Sequence, residues 1–177
     1  MVYDLKESRW LGSYSFTPQG FSILQNELFS YNDGQLYLHN QYDKQCYFYD
    51  TQYTAKIMFV SNVGAGLPKV YNNITTQSNL VPTFVYFYND YPVQQSSDLV
   101  DFSFRNIEGN FVANILRNKL VPTETGFNTN GLLTGEVMRN IAMFVMIEFS
   151  PTGSNVMQLK FVDIGLKESI GNTTIKV

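Results

Sequence analysis

Apolar and polar residues alternate along most of this chain with a period of two, the repeat of a β-strand. No stretch of helical length carries an apolar stripe at i, i+3 and i+4. Trp10, Gly12, Tyr14 and Phe16 alternate with Leu11, Ser13, Ser15 and Thr17 until Pro18 closes the pattern. Residues 27–31 and 35–39 flank Asn32-Asp33-Gly34 and predict a β-hairpin, because Asp-Gly readily takes the positive φ angles of a tight turn. Strands are expected at 47–49 and 55–60, with Asn62-Val63-Gly64-Ala65-Gly66 as a turn after them. Residues 69–76 alternate again, which would put Val70 and Ile74 on one side.

The second half of the chain reads the same way. Pro82 and Pro92 bound a strand at 83–88, since proline cannot donate to a ladder. Val100, Phe102 and Phe104 share one face of a predicted strand, opposite Asp101, Ser103 and Arg105. Ile107-Glu108-Gly109-Asn110 turns the chain, and Phe111, Ala113 and Ile115 return. Residues 126–135 are polar and glycine-rich, a surface loop. Residues 141–149 form a continuous apolar run, expected to be covered on both faces. Pro151-Thr152-Gly153-Ser154-Asn155 turns it, and Met157, Leu159 and Phe161 should face inward on the returning strand. The expected fold is all-β, an antiparallel β-sandwich-like single domain over residues 1–177, with several hairpins, little helix and loose ends at 1–9 and 173–177.

Composition narrows the partners. Charged residues make up 15% and aromatic residues 15%, including 14 Phe and 12 Tyr, against a usual charged share of about 25%. Such a surface is polar yet loses few hydrated ions on contact, which suits large protein interfaces. The net charge is −3, and the tightest basic grouping is Arg117 with Lys119, so no nucleic-acid footprint is expected. The N-terminal residues lack an apolar signal core. The apolar run 141–147 is far shorter than the about 20 residues that span a bilayer, so no membrane insertion is expected.

Candidate chemistry is sparse. Cys46 and His39 are the sole residues of their types, too few for a zinc cluster or an intrachain disulfide, and no cofactor is implied. A Ser-His-Asp hydrolase would have to use His39, for which a solvent-facing or capping role is the weightier reading. Asp98 with Asp101 lacks the acidic cluster of a calcium loop. Gly64-Ala65-Gly66 lacks the Gly-Lys and helix of a phosphate loop. Among Asp50, Asp90, Glu124 and Glu148, a glycosidase pair could fall together. Glu148, between Ile147 and Phe149, is either a desolvated acid or the outward residue of a covered strand, and alternation favours the second.

The aromatic stretches carry more. Tyr47, Tyr49 and Tyr53 cluster in one segment and Tyr86, Tyr88 and Tyr91 in another, and these six are the candidate interface residues. Phe84, Tyr86 and Tyr88 share one side of a strand, with Val85 and Phe87 on the other. One side must be core. The other is either core as well, a protein contact rich in rigid phenols, or a sugar-stacking platform.

Two blocks resemble a known family. The first is Trp10-Leu11-Gly12-Ser13-Tyr14-Ser15-Phe16-Thr17-Pro18, followed by Glu27-Leu28-Phe29-Ser30-Tyr31 and Gly34-Gln35-Leu36-Tyr37-Leu38-His39-Asn40. The second is Ile107-Glu108-Gly109-Asn110-Phe111-Val112-Ala113-Asn114-Ile115-Leu116-Arg117-Asn118, then Leu133-Thr134-Gly135-Glu136-Val137-Met138-Arg139-Asn140 and a hydrophobic hairpin. Their order and spacing resemble the C-terminal region of muzzle or stabilisation-type tail proteins of crAss-like, Bacteroidetes-infecting tailed phages. Members of that family are much longer, so the resemblance implies either a C-terminal fragment or a shortened relative. It also implies a non-enzymatic structural part of the virion, assembled in the host bacterial cytoplasm. Its partners would be other virion tail and neck proteins and further copies of itself in a homo-oligomeric ring, with no catalytic residue or cofactor to carry over. The rival readings are a carbohydrate-binding module or adhesin for a host glycan and, more distantly, a glycosidase-like hydrolase.

Overall fold

A computed structural model describes residues 2–14, 16–39, 45–64, 66–90, 94–120, 135–151 and 156–169. Sixteen strands, antiparallel wherever they pair, account for nearly all of its regular structure. The protein is all-β and sandwich-like, as the alternation predicts. It divides into two compact units, Met1–Thr54 with Pro151–Val156, and Ala55–Ser150 with Met157–Val177.

The first unit holds β1 (Val2–Asp4), β2 (Arg9–Gly12), β3 (Gly20–Leu24), β4 (Glu27–Asn32), β5 (Gln35–Leu38), β6 (Tyr47–Phe48) and β7 (Thr51–Gln52). The predicted hairpin is present as β4–β5, turning at Asp33 and Gly34 with φ of 48° and 75°. Two more hairpins use the same device. Gln25 and Asn26 (φ 50° and 66°) join β3 to β4, and Tyr49 and Asp50 (φ 50° and 60°) join β6 to β7. Two successive residues at positive φ mark a type I′ turn, whose twist matches that of the strands it joins. Two expectations are corrected here. Residues 2–4, read as a loose end, pair with β2. The strand read through Phe16 stops at Gly12, the last residue to find a partner in β1, and Gly12 leaves it at φ 148°.

The second unit contains β8 (Ala55–Ser61), β9 (Lys69–Ser78), β10 (Phe84–Asn89), β11 (Gln95–Val100), β12 (Arg105–Ile107), β13 (Asn110–Asn114), β14 (Arg139–Asn140), β15 (Met143–Phe149) and β16 (Leu159–Glu168). One sheet runs β11-β10-β15-β8. In the other, β12 pairs β13, both β13 and β14 pair β9 on the main path, and β16 also pairs β9. Alternate residues of the two sheets meet in one core. Val85, Phe87, Val145, Ile147 and Phe149 come from the first sheet and Tyr71, Ile74 and Ala113 from the second.

Four details differ from strict alternation. The β9–β16 ladder shifts register between Gly165 and Leu166, opposite Asn72. Lys69 and Tyr71 are therefore buried before the slip and Ile74 and Thr76 after it, so Val70 does not share the buried side of Ile74. Residues 101–103 form a 3-10 turn that throws Phe102 out to 87% exposure instead of leaving it beside Val100. The β15 run is covered on one face only, with Phe144 46% exposed. Finally, a shift between Leu159 and Phe161 turns Phe161 outward, and Val162, Ile164 and Leu166 pack against the core in its place. The expected surface loop 126–135 lies, but for Gly135, outside the described residues.

Candidate interaction faces

In the first unit the aromatic residues close over a buried hydroxyl. Ser30 and His39 lie on one face of β4 and the residue after β5. The Ser30 hydroxyl, 0% exposed, sits 2.6 Å from His39 Nε2 and 2.8 Å from the Tyr49 hydroxyl. The Phe16 ring stacks on His39 at 4.9 Å and 9°, and Phe48 and Tyr49 approach Phe16 at 4.4 Å and 5.3 Å. Burial lowers the His39 pKa, because the interior disfavours the imidazolium. A serine beside a histidine suggests nucleophilic catalysis, but this hydroxyl is closed off from solvent and already spans two partners. The arrangement does what a satisfied buried polar group does: it fixes one packing of the rings around it.

That geometry sorts the first three candidate tyrosines. Tyr49 sits in the β6–β7 turn with its hydroxyl pointed at Ser30, so it is an internal strut. Tyr47 donates to Asp50 Oδ1 at 3.4 Å, and Tyr53 lies 6.2 Å from the Phe48 ring. All three are half-buried. Asp50 also accepts from Tyr37 at 3.5 Å. Desolvation first, and then the charge and hydrogen bond of Asp50, raise the Tyr37 pKa.

In the second unit, Tyr86 and Tyr88 occupy the outward face of β10. Val85 and Phe87 take the inward one, each 0% exposed. The β10–β15 register sets Tyr88 opposite Phe144 and Tyr86 opposite Met146, and the β15–β8 register continues the rows to Val60 and Met58. The Tyr86 and Tyr88 rings are 6.4 Å apart and 15° from parallel, and Phe144 lies 6.4 Å from Tyr88. Met58 is 73% and Val60 50% exposed. The third row carries Lys56 and Glu148, joined at 2.6 Å, and Phe84. Glu148 is thus the outward residue that alternation favours, paired with Lys56. Asp98, across from Tyr86 on β11, pairs with Lys119. The face is an apolar and phenolic sheet surface whose two carboxylates each have a cation.

The remaining candidates scatter. Tyr91 and Glu124 lie outside the described residues. Arg117 donates to the Gly135 carbonyl at 2.9 Å. Sequence reasoning missed Phe144, Met146, Met58 and Val60, because 141–149 read as doubly covered and 55–60 carried no sign of which side faces out.

Residues 43–118 match the Crassvirus muzzle protein C-terminal domain family. The muzzle resemblance read from the sequence is shown. The protein carries a domain of a phage structural protein. No curated protein matches the chain. The muzzle match takes in β6 through β13 and all six candidate tyrosines. It stops short of β15, which in the fold lies between β10 and β8 and supplies Phe144 and Met146 to the phenolic face.

Proposed function

We propose that the chain is a non-enzymatic structural component of a phage virion, a muzzle-type part of the tail or neck assembled in the host cell. In this reading it works through contacts with other virion proteins and with copies of itself in a ring. The observation that carries the proposal is the outward face of β11-β10-β15-β8. There Tyr86, Tyr88, Phe144, Met58 and Val60 form a continuous surface with its charges already paired. Rigid phenols bury area at low entropic cost, and a surface free of unpaired ions loses little hydration on contact.

The test is the Tyr86→Ser/Tyr88→Ser double variant. The wild-type chain of 20.3 kDa should appear in native mass spectra as a multiple of that mass. The variant should shift toward monomer while keeping its circular dichroism spectrum and melting behaviour. Unfolding of the variant monomer would show that the two rings are core, and unchanged assembly would move the contact elsewhere. One observation favours a second reading: the near-parallel Tyr86 and Tyr88 rings could stack a host glycan. Glycan-array binding that the double variant abolishes, with assembly untouched, would select that reading.

A further inference from the structure

Lys69 is the largest of the fully buried side chains, at 1% exposure. A lysine is rarely enclosed in this way without a carboxylate. Among the described residues its Nζ donates to one group, the Ile141 carbonyl at 2.5 Å, and neither of the ion pairs there involves it. The loop bearing Gly64 lies against its stem, with Lys69 Cε 3.9 Å from where a Gly64 Cβ would stand.

The ladder gives Lys69 two directly opposed neighbours. On one side of β9 the partner is Asn140 of β14, and on the other it is Glu168 of β16. Directly opposed residues of an antiparallel ladder project to the same face with Cβ atoms about 4.5–5.5 Å apart. An amine, a carboxamide and a carboxyl group therefore stand in one row across three strands, with the amine in the middle. The Ile141 carbonyl that holds Nζ belongs to the residue after Asn140. The Ile141 N–H donates to Asn140 Oδ1 at 2.6 Å, so the carboxamide oxygen already has a donor on it.

We propose that this row forms an intramolecular isopeptide bond between Lys69 Nζ and Asn140 Cγ, with Glu168 as the proton carrier. Nζ gives a proton to the Glu168 carboxylate, and its lone pair attacks Cγ. Negative charge develops on Oδ1, where the Ile141 N–H stabilises it, as an oxyanion donor does in acyl transfer. The Cγ–Nδ2 bond then breaks, Glu168 returns the proton to Nδ2, and ammonia leaves. One C–N bond forms, one breaks and nothing is oxidised or reduced. The buried ammonium, which the interior disfavours, is replaced by a neutral amide. The product fastens β14, a two-residue strand, to β9.

The test is the intact mass of the purified full-length chain. The expected result is a mass one ammonia below that of the sequence, and a branched peptide in a protease digest that joins the Lys69 and Asn140 segments. Glu168→Gln should restore the full mass while keeping the wild-type circular dichroism spectrum, and it should melt lower. Asn140→Ala should also run at full mass. A wild-type chain at full sequence mass overturns the proposal whether or not any variant folds. So does an ammonia loss that persists in Lys69→Met.

Discussion

Gly165 of β16 is the Cα partner of Asn73 of β9, and the Asn73 side chain occupies the space above it. A Cβ at Gly165 would fall on Asn73 Oδ1 and within 2.8 Å of its Cγ. The glycine backbone is not in the left-handed region, so close approach is its reason for being there. The slip in the β9–β16 ladder begins at this residue. Gly165→Ala should destabilise the second unit by about 1–3 kcal/mol, the cost of forcing an extra methyl group into a filled site. Asn73→Ala in the same chain should recover most of that loss. Chemical denaturation of the two single variants and the double variant measures the coupling between them.

Phe87 and Tyr88 are adjacent in sequence and oppositely placed. Phe87 is 0% exposed between the sheets, whereas Tyr88 stands outward against Phe144. Phe87→Ala should cost about 3–5 kcal/mol, the usual range for truncating a buried ring. Tyr88→Ala removes outward ring contacts worth about 0.5–1.5 kcal/mol each and leaves the core intact. Equal losses of stability in the two variants would mean that both faces of β10 are core.

These pairs show what the alternation could and could not tell. A period of two places Phe87 and Tyr88 on opposite sides without any structure, but not which side is covered. Asp33-Gly34 announced its hairpin because that dipeptide accepts positive φ cheaply. Tyr49-Asp50 makes the same turn and was unreadable, since an aromatic residue at φ 50° is held there by its tertiary surroundings, including the hydroxyl bond to Ser30. The register slips that part Val70 from Ile74 and turn Phe161 outward depend on strands distant in sequence. Single-residue shifts of this kind invert every face that follows. The phenolic face was half legible for the same reason. Tyr86 and Tyr88 stood out, while Met58 and Phe144 acquire meaning only once β15 is inserted between β10 and β8.

Asn118 shows how a buried polar side chain holds a segment without regular structure. At 8% exposure, its Oδ1 accepts from the Ser96 N–H at 2.9 Å and the Leu120 N–H at 3.0 Å, and its Nδ2 donates to the Leu120 carbonyl at 3.1 Å. The backbone around it adds Lys119 N–H to Ser96 O at 2.8 Å. Asn118→Ala would strand the Ser96 N–H in the interior, a loss of about 1–3 kcal/mol for an unsatisfied buried donor. Hydrogen exchange should show the Ser96 amide losing protection first. An unchanged Ser96 exchange rate would mean that another acceptor takes the place of Oδ1.

His39 should make the first unit sensitive to acid. Burial lowers its pKa below the ordinary 6.5, so the unfolded chain takes up a proton before the folded one does. Where the unfolded state binds more protons, stability rises with pH. The His39 contribution is therefore complete above about pH 6.5, shrinks as the pH falls below it, and levels off under the lowered folded value. The groups around the ring offer the imidazolium no compensating charge. Ser30, Phe16, Phe48 and Tyr49 are neutral, and Asp50 is engaged by Tyr37 and Tyr47. Carboxylates titrate lower, so the comparison is with His39→Gln, which keeps a polar partner for Ser30 and cannot take up the proton. Melting curves of the two proteins across this range should converge as the pH falls, the wild type losing stability that the variant does not. Parallel curves would show that His39 keeps its ordinary proton affinity, and with it that the Phe16 stack does not desolvate the ring.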